Sequence, residues 1–353
     1  SSAASDVYKR QNLTEQRGAR FMQLFYGVSE RLRSKPIDLS GTPFFRLYFS
    51  LMSPALIVLV GPTGVGKTEL SLRLAERYGA PILSADSRQI YRDIPVGTAA
   101  PTAEQMQRVK HYFVAELGLE QYYSAACYEE EVMRLLPSLF AENPVAVLTG
   151  GSMMYIDAVC NGIDEIPTIS DEVRRVVCDW YEREGLQPLL HELQHLDPQF
   201  YEQVDRCNPK RVIHALEVCR MTGRPYSELR TRQSKPRPFR IIKVGLTRPR
   251  EELYDRINQR VDEMMQAGML DEARRVYPLR HCNSLNTVGY KELFAYFDGV
   301  MPLDAAIEKI KRNTRVYSRK QMTWFKRDAS IRWFSPDDFE PIRAYIDGCL
   351  QEV

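Results

Sequence analysis

Residues 56–68 read LIVLVGPTGVGKT, and this stretch decides the fold. Residues 56–60 form a short, uninterrupted apolar run, which is typical of a strand buried on both faces of a parallel sheet. Residues 61–68 match the phosphate-loop pattern G-x-x-x-x-G-K-[ST] at every fixed position, and a helical pattern at 69–78 ends at Gly79. A strand, a glycine-rich turn and a helix in this order predict the start of an α/β domain.

The phosphate loop predicts a site for a phosphorylated ligand. Its glycines allow backbone N–H groups to converge on phosphate oxygens, and the start of the following helix adds a favourable dipole. Lys67 would neutralise phosphate charge, and the Thr68 hydroxyl would complete a Mg²⁺ shell of waters and phosphate oxygens. The predicted phosphate-binding residues are Gly61, Pro62, Thr63, Gly64, Val65, Gly66, Lys67 and Thr68. The motif predicts the class of ligand and leaves the reaction open.

Strand and helix patterns alternate along most of the chain. Apolar runs at 81–85, 145–149 and 241–246 predict strands, and residues 251–266 predict a long helix. Strand patterns are absent from residues 170–232, where amphipathic helical segments occur at 171–184, 186–195 and 209–221. The sequence therefore predicts a mostly parallel α/β sheet with an inserted all-helical domain.

These patterns also predict the domain boundaries. Residues 1–51 show no strand–helix alternation and are predicted to be a leader that is poorly ordered or not native to the protein. Residues 52–169 and 233–345 are predicted to form the two parts of the sheet domain. Residues 170–232 are predicted to form the helical insertion between them.

Composition excludes several classes of protein. With 44% apolar and 27% charged residues, the 353-residue chain has the balance of a folded globular protein. It has no run of about 18 apolar residues, so we expect no association with a membrane. The seven cysteines are scattered, which argues against a disulfide scaffold or a zinc site and indicates a reducing, cytoplasmic environment. Because the formal net charge is only +2, any nucleic-acid site must come from local clustering of cations.

Polar residues follow two further predicted strands. Ligands of open α/β sheets bind beyond the carboxyl ends of the strands, so Asp86 should lie beside the phosphate loop. Its carboxylate could coordinate Mg²⁺, accept a proton or cap the next helix. Residues 149–152, TGGS, end another strand at the same edge. They predict either a tight turn or a close approach of the backbone to a ligand.

Two segments are rich in cations and contain no acidic residue. Residues 230–250 contain eight Lys or Arg, and residues 311–327 contain seven, interleaved with Tyr317, Trp324 and Phe325. One such run is usually a solvated face. Two of them in a nearly neutral protein predict a basic stripe, which together with aromatic residues suits an RNA backbone with splayed bases.

The residues themselves leave several functions open. A small-molecule or nucleoside kinase would share the sheet and the phosphate loop but would not need the two basic segments. A non-enzymatic RNA-binding module would leave Asp86 and Lys67 without a role. Labelled substrates offered to the purified protein would separate these classes.

Nine short motifs give the chain a resemblance to a known family. They are GPTGVGKT (61–68), SADSRQIY (84–91), VGTAAP (96–101), YSAACYEEEV (123–132), LTGGSMMY (148–155), NPKRVIHALEV (208–218), LYDRINQRVDEM (253–264), NTVGYKE (286–292) and RKQMTWFKRD (319–328). In this order and spacing they resemble the tRNA dimethylallyltransferase family, and the resemblance covers residues 56–334. It implies a nucleotide-kinase-like phosphate-loop core with a helical insertion.

The resemblance implies transfer of a dimethylallyl group from dimethylallyl diphosphate to N6 of the adenosine 3′ of the anticodon, position 37, in tRNA. In that family the phosphate loop holds the prenyl diphosphate rather than ATP. Asp86 would accept the N6 proton, and Arg260 would bind the diphosphate, helped by Arg256 or Arg250. The implied catalytic residues are Asp86, Thr63 and Arg260, with Arg256 as a further diphosphate ligand and Mg²⁺ at Thr68. A related prenyltransferase acting on a free adenine nucleotide is the alternative.

The resemblance also implies where tRNA binds, through its anticodon stem-loop, to a monomeric enzyme. The implied contacts are Asp86, Ser87, Arg88, Gln89, Ser152, Arg174, Lys210, Arg211, Val212, Ile213, His214, Arg319, Lys320 and Gln321. The chain departs from the family pattern at three positions. Ser152 stands where threonine is usual, Ala100 where lysine is usual, and His214 where arginine is common.

Overall fold

A parallel β-sheet forms the frame of the protein. The computed structural model describes residues 53–231 and 233–351, and the predicted leader at 1–51 lies outside these residues. The sheet has six strands in the described part of the chain: β1 (Ala55–Val60), β2 (Ile82–Ser84), β3 (His111–Tyr112), β4 (Val145–Thr149), β5 (Arg240–Leu246) and β6 (Arg332–Phe334). Their order is β3-β2-β4-β1-β5-β6, and every neighbouring pair is parallel.

The apolar run at 56–60 lies in the central strand. All six residues of β1 are buried, and the strand pairs with β4 on one side and β5 on the other. Burial on both faces explains why the run does not alternate between polar and apolar residues. The other three predicted strands correspond to β2, β4 and β5, which confirms the parallel α/β fold.

The two edge strands escape the sequence pattern. β3 has two residues and β6 has three, and neither is a run of apolar residues. They pair with β2 and β5 because tertiary packing brings them to the edges of the sheet, and local sequence carries no sign of it.

Helices cover the sheet and build the region between β4 and β5. Before β5 these are α1 (Lys67–Tyr78), α2 (Ala103–Arg108), α3 (Ala125–Glu142), α4 (Met153–Asn161), α5 (Asp171–Glu184), α6 (Leu186–Leu196), α7 (Pro198–Gln203), α8 (Pro209–Thr222) and α9 (Tyr226–Leu229). After β5 they are α10 (Arg250–Gln266), α11 (Met269–Val276), α12 (Tyr290–Phe297), α13 (Leu303–Phe325) and α14 (Phe339–Gln351). Short 3-10 turns lie at Tyr277–Leu279 and Asn283–Leu285. No helix in this described part of the chain is long and apolar enough to span a bilayer.

Among the described residues, one hydrophobic cluster belongs to the sheet and a smaller one to the helical region. The larger one packs residues of β1, β2 and β4 against α3, α4, α11 and α12. The smaller one extends from Ile169 to Tyr226 and draws on α5, α6, α7 and α8. The helical region between β4 and β5 therefore has a hydrophobic cluster of its own.

A buried ion pair holds the two connections to this helical region. Glu129 in α3 accepts a hydrogen bond from the Ile163 N–H (3.0 Å) on the outgoing connection and pairs with Arg237 (2.5 Å) on the returning one. Arg237 also donates to the carbonyls of Ala158 (2.6 Å) and Val159 (2.9 Å) in α4. The helical region is thus joined to the sheet through a neck with defined geometry.

Candidate active site

The phosphate loop lies between the carboxyl end of β1 and the start of α1. The Lys67 ammonium turns back over the loop and donates hydrogen bonds to the carbonyls of Gly61 (2.9 Å) and Pro62 (3.0 Å). Gly64 has a φ of +85°, and a Cβ there would lie 2.9 Å from the Ile257 side chain of α10. Glycine is required at this position for both conformation and packing. The loop therefore keeps its shape through its own lysine and its contact with α10.

The charges around Lys67 do not offset the cost of burying its ammonium group. Burial, followed by the charge of Arg260, lowers the pKa of Lys67 to about 7, while the charge of Asp86 acts in the opposite direction. A bound phosphate group would add negative charge, raise this pKa and favour the ammonium form. The electrostatics of the loop therefore suit an anionic ligand.

Two arginines hold the outer side of the phosphate loop. Arg256 donates from Nε to the Gly64 carbonyl (3.0 Å), and Arg248 donates from Nε to the Val65 carbonyl (3.0 Å). Arg248 is largely buried and also pairs with two carboxylates. The sequence predicts Arg256, which lines the loop cavity, but it carries no motif for Arg248.

The ends of β2 and β4 are joined by main-chain hydrogen bonds. The Ala85 N–H donates to the Thr149 carbonyl (2.7 Å), and the Ser152 N–H donates to the Ala85 carbonyl (3.0 Å). A Cβ on Gly150 would lie 2.1 Å from the Ala85 oxygen, so only glycine fits. The backbone of residues 149–152 therefore packs closely against the residue that follows β2, Ala85.

Asp86 uses its two carboxylate oxygens differently. Oδ1 accepts hydrogen bonds from the backbone N–H groups of Arg88 (2.9 Å) and Gln89 (3.4 Å) and so closes a turn. The alternative that Asp86 caps the next helix is wrong, because that helix, α2, begins only at Ala103. Oδ2 has no hydrogen-bond partner within the described residues. A Cβ placed on Gly151 would lie 3.5 Å from Oδ2 and 4.0 Å from the Thr63 hydroxyl. One oxygen thus fixes the turn, and the other is available to accept a proton.

Two cavities meet at the three predicted catalytic residues. The loop cavity has a volume of about 370 Å³ and is lined by the phosphate loop, Thr68 and Arg256. The second cavity has a volume of about 340 Å³, and its apolar wall consists of Ile257, Val261, Met264, Met269, Val288 and Ile310. Thr63, Asp86 and Arg260 line both cavities. A ligand with a phosphate end in the loop cavity would direct its other end past Asp86.

Arg260 reaches this junction from α10. Its NH2 group lies 3.5 Å from the Thr98 carbonyl. Burial lowers the pKa of Arg260, whereas the charges of Asp86 and Glu263 raise it. Because a guanidinium stays protonated at neutral pH, Arg260 is a permanent cation beside the titratable Lys67.

Gln321 of α13 ties the phosphate loop to the loop after β4. Its Oε1 accepts a hydrogen bond from the Thr63 N–H (2.8 Å), and its Nε2 donates to the Gly151 carbonyl (2.8 Å). The side chain is fully buried. Both ends of its amide are therefore used inside the site, and its predicted contact with tRNA stays a prediction.

Thr68 is the candidate metal ligand. It is exposed on the loop cavity, and its hydroxyl has no hydrogen-bond partner in the described part of the chain. The described residues contain no group of three or more His, Cys, Asp or Glu side chains that could hold a metal ion. A Mg²⁺ ion would take most of its ligands from phosphate oxygens and water, as Mg²⁺ usually does with phosphorylated ligands. The residues fit a metal that arrives with its ligand.

Comparison with known proteins assigns the chain to a family. The family model described as IPP transferase matches residues 89–328. A Parabacteroides distasonis protein named tRNA dimethylallyltransferase 2 is 65% identical over 292 residues, which are 83% of this chain and 98% of the relative. The chain belongs to the IPP transferase family.

Solved structures of IPP transferases share the fold. The tRNA isopentenylpyrophosphate transferase of Bacillus halodurans is 34% identical, with a TM-score of 0.62 over 84% of this chain and 97% of that one. A eukaryotic dimethylallyltransferase acting on tRNA has a TM-score of 0.69 at 22% identity, over 84% of this chain and 77% of that one. The predicted fold class, a phosphate-loop sheet with helical additions, is confirmed.

The residues after β2 divide between the two cavities of this IPP transferase. Ser87, Arg88 and Ser152 line the second cavity. The Ser152 hydroxyl accepts from the Ser87 N–H (2.8 Å) and donates to the Ser87 hydroxyl (3.0 Å). Gln89 lines the loop cavity instead and donates from Nε2 to the carbonyls at 98 (3.2 Å) and 99 (3.0 Å).

In the helical region, the predicted tRNA contacts differ in accessibility. Lys210, Arg211 and His214 are exposed on α8, whereas Val212 is fully buried in the smaller hydrophobic cluster. The helical period turns the Val212 side chain inward, and the predicted contact of residue 212 with tRNA stays a prediction. Ile213 is half-buried.

Arg174 and His214 share one buried partner. The Glu217 carboxylate lies 3.8 Å from Arg174 Nε and 3.6 Å from His214 Nδ1. Two predicted contacts that are far apart in sequence thus lie beside each other on this IPP transferase.

The basic segment at 311–327 lies along α13 and continues past its end. Lys311 pairs with Asp262, and Arg315 donates to Asn258, so both cations face α10. The exposed cations are Arg312, Arg319, Lys320, Lys326 and Arg327. Arg319 and Lys320 are therefore accessible for the predicted contacts, and Arg319 also donates to the Tyr254 hydroxyl of α10 (2.9 Å).

The basic segment at 230–250 does not form a stripe. Lys243 pairs with Asp328 (2.6 Å), Lys235 pairs with Glu165 (3.2 Å), and Arg240 donates to carbonyls near the end of α14. Arg237 and Arg248 are engaged in the neck and the phosphate loop, and Arg232 lies outside the described residues. Arg230 and Arg250 lie against aromatic rings. The prediction of a basic stripe is wrong for the five cations that have ion-pair or carbonyl partners within the protein: Lys235, Arg237, Arg240, Lys243 and Arg248.

Proposed function

We propose that this chain transfers a dimethylallyl group from dimethylallyl diphosphate to N6 of the adenosine at position 37 of tRNA, releasing diphosphate. The observation that carries the proposal is the junction of the two cavities at Thr63, Asp86 and Arg260. A diphosphate in the loop cavity and a base in the second cavity would meet there. Action as a monomer in the cytoplasm is part of the same proposal.

In this reaction N6 attacks the allylic carbon while the bond from that carbon to the diphosphate oxygen breaks. Asp86 accepts the N6 proton at Oδ2, the oxygen that the turn leaves unused. The Thr63 hydroxyl, which lines the same two cavities as Asp86, donates a hydrogen bond to the departing oxygen. Positioned donors and charges of this kind act most strongly on charge that develops in the transition state.

Charge on the departing diphosphate is met by Lys67 and Arg260. Lys67 gains a phosphate partner in place of the two loop carbonyls, and Arg260 supplies a second cation from the opposite wall. Thr68 would hold the Mg²⁺ ion that accompanies the diphosphate. When bound, that ion neutralises part of the leaving-group charge.

The apolar wall of the second cavity supports a prenyl substrate. Ile257, Val261 and Met264 follow one face of α10 next to Arg260. They would cover the dimethylallyl group and keep water away from the allylic carbon during transfer. A kinase would need no apolar wall beside its phosphate loop, so we place that alternative second.

The substrate assay tests the proposed reaction directly. Labelled dimethylallyl diphosphate is incubated with tRNA, AMP or ATP, and the products are identified by mass spectrometry. We expect prenylated adenosine in tRNA alone, with no hydrolysis of ATP. Transfer to AMP or ATP would assign the enzyme to free nucleotides, and tRNA-stimulated ATP hydrolysis without prenylation would refute the proposal.

The Asp86→Asn variant tests the proton acceptor. Asparagine keeps Oδ1 as the acceptor for the Arg88 and Gln89 N–H groups and changes only the second atom. We expect the single-turnover rate to fall by ~10²–10⁴, the usual contribution of a positioned acid–base group, with tRNA affinity unchanged. A rate within a few-fold of that of the unmodified enzyme would remove Asp86 from this role.

A further inference from the structure

Two motifs of the sequence, VGTAAP (96–101) and NTVGYKE (286–292), supply none of the catalytic residues proposed above, although Val288 belongs to the apolar wall of the second cavity. The structure brings them together beside the second cavity. Tyr290, from the second motif, lies against Gly97, from the first, and both contact Glu272 of α11. None of these three residues touches the phosphate loop.

Glu272 is the centre of this cluster. Its side chain is buried, with the residue 3% exposed. One carboxylate oxygen accepts a hydrogen bond from the Val96 N–H (2.9 Å), and the other accepts from the Gly97 N–H (2.7 Å) and the Tyr290 hydroxyl (2.6 Å). A carboxylate with three donors at these distances fixes the backbone that supplies two of them.

The contact between Tyr290 and the loop leaves no spare space. A Cβ on Gly97 would lie 2.3 Å from the Tyr290 hydroxyl oxygen. The Tyr290 hydroxyl also lies 3.4 Å from the Ile94 carbonyl. The loop at 94–99 is therefore held at Ile94 by Tyr290 and at Val96 and Gly97 by Glu272.

This loop is also strained. Ala99 has a φ of +46°, a region that residues with a side chain rarely adopt. Such conformations persist when surrounding contacts determine the backbone. Here the Ala99 N–H donates to the Val96 carbonyl (2.9 Å), and Glu272 anchors the same turn through the N–H groups of Val96 and Gly97.

The loop connects the cluster to the active site. It contributes Ala99 to the loop cavity and Thr98 to the second cavity. Its carbonyls fix the Gln89 amide at 3.0 and 3.2 Å, and the Thr98 carbonyl lies 3.5 Å from Arg260 NH2. Because 3.5 Å is the outer limit of a hydrogen bond, a small shift of the loop makes or breaks the contact with Arg260.

We infer that Glu272, supported by Tyr290, is the positioning residue for Arg260, because it fixes the loop at 94–99 between the two cavities. The inference deepens the proposed function and rests on it for the role of Arg260. Glu272 acts through the loop and touches neither substrate. If Glu272 acts through Arg260, substitution of Glu272 has no effect on diphosphate binding or transfer once the Arg260 side chain is absent.

A double-mutant cycle measures this dependence. Glu272→Gln and Arg260→Ala are made singly and together, and each protein is tested for single-turnover transfer, for the Kd of inorganic diphosphate and for the Kd of tRNA. We expect Glu272→Gln alone to weaken diphosphate binding and slow transfer by about tenfold, with tRNA affinity unchanged. In the Arg260→Ala background the same substitution should change both quantities less than about twofold.

A matched control separates positioning from general loss of stability. Tyr78 donates to Asp347 (2.9 Å) in the same way that Tyr290 donates to Glu272, but at the far end of α1. Tyr78→Phe should leave diphosphate affinity unchanged in both backgrounds. Tyr290→Phe should reproduce the Glu272→Gln pattern at smaller amplitude, and it serves as the test if Glu272→Gln does not fold.

Additive effects of Glu272→Gln and Arg260→Ala on diphosphate affinity would overturn the inference. A weakening of tRNA binding as large as that of diphosphate binding would also overturn it. Failure of the proposed function is a separate result, because it would appear as absence of prenylated adenosine with the unmodified enzyme. The diphosphate cycle can be read in either case.

Discussion

Residues 230–250 and 311–327 have the same charge pattern and opposite surroundings. Each segment is rich in Lys and Arg and has no acidic residue. In the first, the cations pair with carboxylates and carbonyls from other parts of the protein, as Arg237 does with Glu129. In the second, Lys311, Arg315 and Arg319 contact α10. The exposed cations are Arg319 and four others, Arg312, Lys320, Lys326 and Arg327.

The difference between the segments has a structural cause. The first segment runs through the neck and along β5 to the side of the phosphate loop, where most of its cations meet partner groups of the protein. The second is a helix that packs on α10, α12 and α4 and leaves another face exposed. A run of cations therefore predicts a nucleic-acid surface only where its secondary structure leaves a face uncovered.

The largest effect is expected where a paired cation of the first segment is removed from the interior. The side chains of Arg237 and Glu129 are 7% and 9% exposed. Arg237→Met would leave a buried carboxylate uncompensated, so we expect the free energy of unfolding to fall by about 3–5 kcal/mol in denaturant titrations. Adding Glu129→Gln should restore most of this loss. A single-variant loss below about 1 kcal/mol would show that the pair does not hold the neck.

A smaller effect is expected on the exposed face of the second segment. Arg319→Gln with Lys320→Gln should weaken tRNA binding roughly tenfold at moderate salt and reduce the slope of log affinity against log salt by ~1.4. The matched control is Arg230→Gln with Lys235→Gln from the first segment, which should leave the slope unchanged. Equal slopes for the two double variants would mean that the exposed cations of α13 do not meet RNA phosphates.

Lys67 extends the comparison to a cation that lacks a carboxylate partner. Its pKa, lowered to about 7, rises when diphosphate binds, so binding takes up a proton above pH 7. Affinity for diphosphate should therefore fall as pH increases, by up to about tenfold per unit. Isothermal titration in two buffers at pH 8 measures the uptake, and Lys67→Arg should lack it. Protons exchanged by diphosphate itself are the same for the unmodified enzyme and for Lys67→Arg. Equal proton uptake by the two proteins would therefore show that Lys67 is not the group that takes up the proton.

The smallest effect is expected two residues from Arg237. Lys235 pairs with Glu165, whose side chain is 91% exposed. Lys235→Met keeps the aliphatic stem that packs on Gly162 and removes only the ion pair. We expect a change of less than about 0.5 kcal/mol in unfolding free energy, because exposed pairs contribute little. A loss comparable to that of Arg237→Met would show that the neck depends on net charge rather than on burial.

The features that could be predicted from sequence are local ones. The apolar strand β1, the phosphate loop and the long helix α10 each have a pattern that fits within twenty residues. β3 and β6 have none, because strands of two or three residues acquire their pairing from the completed sheet. The same limit applies to Val212, which belongs to a motif of consecutive residues although its side chain lies in the smaller hydrophobic cluster. A motif is defined by consecutive residues, whereas the faces of a helix repeat every 3.6 residues.

The features that escaped prediction in the site are long-range contacts. Gln321 meets the Thr63 N–H across 258 positions, and Arg248 meets the Val65 carbonyl across 183. No window of sequence contains both partners. Asp86 could be placed at the correct edge of the sheet because it directly follows a predicted strand. The different use of its two oxygens depends on the turn that follows it.

The main-chain junction between β2 and β4 has a consequence for how this enzyme can evolve. Ala85, Thr149 and Ser152 are joined through N–H and carbonyl groups, which nearly every amino acid possesses. In the loop after β4, a side chain is excluded at Gly150 by the Ala85 carbonyl and at Gly151 by the Gln321 amide. Substitutions at 85, 149 and 152 can therefore change side chains near the reacting atoms while the main-chain hydrogen bonds keep the spacing between the two strand ends. Substrate preference can therefore change through these side chains while the main-chain junction between β2 and β4 stays the same.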